Sequence, residues 1–179
     1  MTKVLHAPTV YLLYSPSNPL LELHLNNESK PANIIDQQFV QDLSVALDTI
    51  DDLLKKDRKI AGCLIVSDKK NFLVGADVYS LYREVHDAKL GETVAARGQA
   101  LFDRLAALPI PTVAAINELA LGGGLELALA CSYRVLSANG RVGLPEVKLG
   151  VIPGAGGTVR TPRLIGLSPS LQMILPGGT

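Results

Sequence analysis

Apolar and polar residues alternate between Leu21 and Asn26, with Leu21, Leu23 and Leu25 set against Glu22, His24 and Asn26. A period of two turns one face of a strand into a core and the other toward solvent. Val10 to Tyr14 and Leu20 to Leu25 therefore predict a hairpin, joined through Ser15-Pro16-Ser17-Asn18-Pro19. Pro31-Ala32-Asn33 breaks the extended run, and the period then changes. Val40, Leu43, Leu47, Ile50 and Leu54 fall on one stripe at helical spacing, which predicts a helix from about Asp36 to Lys55. Asp51 and Asp52 lie on its far side. Ile60 to Val66 is a short, continuous apolar run, the pattern of a strand buried on both faces.

A loop from Ser67 to Asp77 follows, and Val78 to His86 reads as a short helix. Glu92 to Leu108 predicts a longer one, with Val94, Leu101, Leu105 and Leu108 along one side and Pro109 and Pro111 stopping it. Thr112 to Ile116 is a second buried strand, Leu125 to about Ala130 a helix opened by three glycines, and Tyr133 to Leu136 a third strand. The chain is then rich in turns as far as Gly157. Thr158 to Leu164 and Ser168 to Leu175 read as helices. Strands alternating with helices predict one α/β domain over residues 1–179.

Composition narrows the function. The 179 residues suit one domain with a real core. Lys and Arg number 17 and so do Asp and Glu, which argues against a nucleic-acid partner bound through charge. Tryptophan is absent, so a base-stacking platform is not expected. No apolar run reaches membrane-spanning length, and Met1 to Pro8 lacks a signal-peptide core. Cys63 and Cys131 lie in separate apolar stretches and read as buried free thiols of a reducing compartment, the cytoplasm. His6, His24 and His86 are scattered, and no close Cys/His cluster marks a metal site.

Two glutamates draw attention. Glu126 follows Gly122-Gly123-Gly124-Leu125, and Glu146 lies in Gly143-Leu144-Pro145-Glu146-Val147. An unpaired carboxylate is costly in such apolar, glycine-rich surroundings. A pair facing one cavity is the usual apparatus for moving protons on and off a substrate. Each alone has a structural reading of equal weight: Glu126 as a first-turn residue favoured by the helix dipole, Glu146 as a surface residue of a short helix with Pro145 first.

The loops around them are also rich in glycine. The triple glycine follows a strand and opens a helix, where unpaired N–H groups and a partial positive charge welcome a negative oxygen. Phe72 to Asp77 likewise follows a strand, and strand ends on one sheet edge commonly meet at a shared site. N–H groups of Ala76 and Gly123 would make a two-donor oxyanion hole. Gly75-Ala76-Asp77 alone reads as a turn with Asp77 capping a helix. Pro153 to Thr158 lacks the Gly-Lys-Ser/Thr ending of a Walker loop, which argues against nucleotide hydrolysis and for a structural turn.

Taken in order, Gly75-Ala76-Asp77, Pro111 to Asn117, Ala120 to Ala128, Gly143 to Gly150 and Pro153 to Thr158 resemble the crotonase superfamily of enoyl-CoA hydratases and isomerases. Leu144-Pro145-Glu146 and Pro162 to Gly166 look most like the hydratase part of the multifunctional β-oxidation proteins. The resemblance implies an α/β fold, a crotonase-like spiral of ββα units, with the family's C-terminal helices missing after Leu175. It implies Glu126 and Glu146 as the catalytic carboxylates and Ala76 and Gly123 as the oxyanion hole. Lys30, Ala32 and Asn33, with Gly75 and Asp77, would line the coenzyme A path, and Gly122, Pro145 and Gly154 would border the substrate.

Hydration is the activity the resemblance implies first, because the family's isomerases can work with only the residue matching Glu146. The double-bond shift, another reaction on the same scaffold, and a non-catalytic acyl-CoA-binding domain are the alternatives. No cofactor is implied beyond the coenzyme A carried by the substrate. The expected assembly is a homo-oligomer or part of a larger multifunctional β-oxidation protein. One departure is Glu118, which stands where the family usually has glycine.

Overall fold

The hairpin forms and gains a strand. The computed structural model describes residues 1–57, 59–77 and 88–179. In it β1 (Thr2–His6), β2 (Val10–Ser15) and β3 (Asn18–Leu25) run antiparallel. β4 (Gly62–Ser67), β5 (Thr112–Ile116) and β7 (Tyr133–Leu136) continue the same sheet in parallel, giving the order β1-β2-β3-β4-β5-β7. β1 escapes a pattern reading because it is an edge strand, exposed along most of its length, with no buried face to mark it.

Leu21, Leu23 and Leu25 are wholly buried, as their alternation predicts, and Leu23 pairs with Ile65. Helix α1 (Gln37–Lys56) begins where expected, because the Asp36 carboxylate caps it by accepting the Phe39 N–H at 2.9 Å. Its buried stripe is Phe39, Leu43, Ala46, Leu47 and Ile50, so the face is turned slightly from the predicted one, and Val40 and Leu54 lie at its margin. Each of the buried Phe, Leu and Ile side chains contributes roughly 1.5–3 kcal/mol. Asp42 shares that face: its carboxylate accepts the N–H and hydroxyl of Thr9 at 3.0 and 2.6 Å, which ties the turn before β2 to the helix.

Helix α2 (Ala88–Ala106) starts earlier than predicted and packs through Leu101, Phe102 and Leu105. The short helix expected over Val78 to His86 lies outside the described residues. A second, two-stranded parallel sheet joins β6 (Leu119–Leu121) to β8 (Arg141–Gly143), elements too short for any periodicity to reveal. Between them stands α3 (Gly123–Ala130), two residues longer at its start than expected. A 3₁₀ helix (Pro145–Leu149) follows, then α4 (Gly157–Ile165) and α5 (Leu167–Ile174). Cys63 and Cys131 are buried free thiols, and burial pushes both up to about 12.

Candidate active site

The loop from Asn71 to Asp77 is fastened before it reaches the site. Asn33 is buried, and its side-chain amide donates to the carbonyls of Leu25 and Phe72 and to Ser67 Oγ, at 2.9, 3.2 and 2.9 Å. Its Oδ1 accepts the Asn27 N–H at 2.9 Å. Ile35 then brackets Ala76: its N–H donates to Gly75 O at 2.8 Å and its carbonyl accepts from Asp77 N–H at 3.0 Å. In parallel pairing the bracketed residue turns its own N–H to the opposite side. The exposed Ala76 therefore points its N–H away from Ile35.

On that opposite side lies the start of α3. Gly75 has φ +95°, and a Cβ there would sit 3.2 Å from the Leu121 carbonyl. A Cβ on Gly122 would lie 3.8 Å from Gly75 Cα, so the two turns abut backbone to backbone. Gly122 N–H donates to Gly143 O at 2.9 Å, and Gly123 opens the helix with an N–H that has no intrahelical partner. Gly124 packs against the other loop so closely that a Cβ would fall 2.0 Å from Leu73 O. Glycine is required here by close approach, and the approach is what brings the Leu73–Gly75 turn against the start of α3.

Glu126 comes one turn later on a helix that is apolar and buried on most sides, and it is only 3% exposed. Its Oε1 accepts the N–H groups of Ala155 at 2.8 Å and Gly157 at 2.7 Å. Burial raises its pKa, while those two N–H groups and the Arg160 charge oppose the rise. Oε2 lies toward Gly123, 3.9 Å from where a Cβ on that residue would be.

Glu146 reaches the same place from the 3₁₀ helix. Pro145 does occupy the first helical position, as the structural reading required, yet the carboxylate turns inward. Glu146 Oε1 lies 2.9 Å from where a Gly122 Cβ would stand. Its Oε2 is buried and lacks a hydrogen-bond partner. Burial pushes Glu146 up to about 7, and the neighbouring Glu126 carboxylate pushes the same way. The two acids and the Gly122–Gly123 turn thus converge from segments that are far apart in sequence.

The other expected site residues divide. Gly75, Gly122 and Pro145 form the walls of this centre. Lys30 is half-buried and paired with Asp36 at 2.9 Å, and Ala32 is part-buried in the same segment. Asn33 departs from expectation. It is only 1% exposed, and four hydrogen bonds engage its side chain in fastening the loop. Asp77 is part-buried and donates its N–H to Ile35. Gly154 borders Glu126: the peptide it shares with Ala155 donates to the carboxylate at 2.8 Å, and its carbonyl accepts from Gln99 at 2.7 Å. Glu118 is half-exposed, 3.8 Å from Lys70. Gln99, Asp103 and Arg160 were not expected near the site, since polar residues at helical positions read as a solvated face. Among the described residues no His, Cys, Asp and Glu group could hold a metal ion, and no helix is long and apolar enough to cross a membrane.

A mixed sheet, glycine turns meeting backbone to backbone, and two buried or half-buried glutamates at the turn that opens α3 define a crotonase-type domain. The chain belongs to the enoyl-CoA hydratase/isomerase family, whose model matches residues 17–179. It is 44% identical over 158 residues to the fatty acid oxidation complex subunit alpha of Aliivibrio fischeri, covering 87% of this chain and 22% of that one. The same subunit of Vibrio cholerae is 47% identical over 150 residues, covering 81% and 20%. The crystal structure of an enoyl-CoA hydratase from Bacillus anthracis superposes with a TM-score of 0.81 at 30% identity, over 94% of this chain and 63% of that one. The chain therefore spans about a fifth of the curated relatives and under two thirds of the solved hydratase.

Proposed function

We propose that this chain adds water to 2-trans-enoyl-CoA thioesters, giving 3-hydroxyacyl-CoA in cytoplasmic fatty-acid β-oxidation. The observation that carries the reading is the pair itself, Glu126 and Glu146, beside the N–H groups of Ala76 and Gly123. Water adding at Cβ of a conjugated thioester drives negative charge onto the thioester oxygen. Donors aimed at that oxygen stabilise the transition state more than the substrate. The pair then divides the proton work. Glu126, with two N–H groups on one oxygen, is the better carboxylate and holds and deprotonates the water. Glu146, drawn up to about 7 and next to a second acid, keeps a proton to deliver to Cα. The reaction needs no cofactor beyond the coenzyme A of its substrate. The relatives' name, fatty acid oxidation complex subunit alpha, supports a role in fatty-acid oxidation and a place in a complex. The assembly we expect is a homo-oligomer or part of a larger multifunctional β-oxidation protein.

The double-bond shift of an enoyl-CoA isomerase is the second reading. It is favoured by the unpartnered Oε2 of Glu146, since one acid that takes a proton and returns it suffices for that reaction. The test is loss of enoyl-thioester absorbance on mixing with crotonyl-CoA, with product identity read by chromatography. Glu146→Gln is expected to lower the rate by about 10²–10⁴-fold with the fold intact. Normal turnover in that variant would sink the assignment. A 3-enoyl substrate converted without water uptake would favour the isomerase, and binding of acyl-CoA without turnover would favour a non-catalytic domain.

A further inference from the structure

Glu126 is held from behind. Both N–H groups on its Oε1 belong to the Pro153–Gly157 loop, and the carbonyls of those peptides are themselves fixed. The Gly154–Ala155 peptide donates to Glu126 at 2.8 Å and accepts from Gln99 Nε2 at 2.7 Å. The Gly156–Gly157 peptide donates to Glu126 at 2.7 Å and accepts the N–H groups of Val159 and Arg160 at 3.1 and 2.8 Å. Between them, the Ala155 carbonyl accepts from Arg160 Nη1 at 3.0 Å. Arg160 Nη2 donates to Asp103 on α2. Gly156 has φ +110°, and a Cβ there would lie 2.1 Å from Arg160 Nη1, so the guanidinium fills the space that a side chain would need.

Three consecutive carbonyls therefore each have a donor, and the peptide planes between them have little freedom to turn. Bonds at both ends of a peptide also polarise it, which strengthens the N–H toward Glu126. As a surface ion pair Arg160–Asp103 would be worth little, since Asp103 is 72% exposed. The guanidinium is only 19% exposed and faces inward to the loop, where its effect is geometric.

We propose that Arg160 is a positioning residue for proton transfer at Glu126: it locks the Ala155 carbonyl, and so the two N–H donors on the Glu126 carboxylate, while from α2 Asp103 holds Arg160 and Gln99 holds the Gly154 carbonyl. The inference rests on the hydration reading above. Among the described residues, the charges that face Glu126 are Arg160 from α4, which lowers its pKa, and Glu146 from the 3₁₀ helix, whose own pKa Glu126 raises, and α2 presents Asp103 to Arg160. Removing Arg160 leaves Glu126 less well oriented and more basic.

The experiment is crotonyl-CoA hydration by the full chain from pH 5 to 9, with circular dichroism to confirm folding. In Arg160→Met, kcat falls about 10–100-fold while KM stays within about twofold, because a small misplacement near the reacting atoms acts on the chemical step. The acid limb of its pH profile moves upward. Arg160→Lys returns the charge without the fork, so the acid limb comes back while kcat stays below the parent. Asp103→Asn, at an exposed position, lowers kcat by a smaller factor and keeps the test alive if Arg160→Met does not fold. A parent-like kcat and acid limb in folded Arg160→Met overturns the proposal, as does a loss confined to KM. So does a parent-like Asp103→Asn where Arg160→Met is unfolded. A parent chain that does not hydrate crotonyl-CoA overturns the hydration reading first, and this inference with it.

Discussion

Glu146 keeps one oxygen buried without a partner, so its ionised form is less stable in the fold than in the unfolded chain. Its pKa rises from 4.5 to about 7. Between those values the folded state holds a proton that the unfolded state has lost. The stability linked to this group is therefore full below about 4.5 and lost as pH rises through about 7. Glu146→Gln has no such loss. Its melting temperature should match the parent's near pH 5 and exceed it near pH 8 by about 2–4 °C, or on the order of 1 kcal/mol once solvent screening of a half-buried group is allowed for. Thermal melts of both proteins across that range check this, and a gap that does not change with pH would mean the carboxylate titrates normally. At this scale the sequence was partly legible. The two acids stood out because their neighbours are apolar, but their convergence did not follow from spacing and came only from the resemblance. Asn33 and Asp42 were opaque because the burial of a polar side chain depends on distant partners, Phe72 lying 39 residues from Asn33 and Thr9 lying 33 from Asp42.

Elements meet at the site through glycines, and their backbone surroundings differ enough to oppose each other in sign. Gly124 in α3 and Gly98 in α2 are both helical. A Cβ on Gly124 would fall 2.0 Å from a backbone carbonyl, whereas one on Gly98 would meet only Ala155 Cβ at 3.5 Å, an ordinary contact. Gly98→Ala should stabilise by about 0.5–1 kcal/mol by restricting the unfolded chain. Gly124→Ala should destabilise by about 1–3 kcal/mol and lower turnover, because α3 must retreat from the loop that carries Ala76. Urea titrations of the two variants would show midpoints moving in opposite directions, and movement the same way would refute the packing argument. Longer elements were readable in the sequence for a plain reason. α1, α2 and β3 repeat a period over enough residues to fix a buried face. β6 and β8 span three residues each, and pairing with each other across distant sequence rather than any local pattern creates them.

At the scale of the whole molecule, one side is left apolar. Leu167 and Leu175 on and after α5 are 67% and 66% exposed, and Leu171, Leu164 and Val159 are also exposed around them. Leu167, Leu171, Leu175 and Pro176 line an open groove of about 520 Å³. An apolar surface of this kind favours association in water, because area removed from solvent contributes about 25 cal/mol per Å². The outer faces of α1 and α2 are more polar: Val45 and Leu90 are exposed there singly, and Arg104 bridges Asp48 and Asp51 at 2.7 and 2.8 Å. This chain should therefore self-associate as its concentration rises, through α4 and α5 rather than through α1. Sedimentation velocity over a hundredfold concentration range, about 1 to 100 μM, tests it. Leu167→Glu with Leu171→Glu should hold the protein at its monomer mass, because a charge on each turn must be desolvated for the helices to meet. The far-UV spectrum should not change, since both side chains already face solvent. Association that persists in the double variant would place the contact elsewhere, with the exposed Tyr133 and Val135 on edge strand β7 next to be substituted.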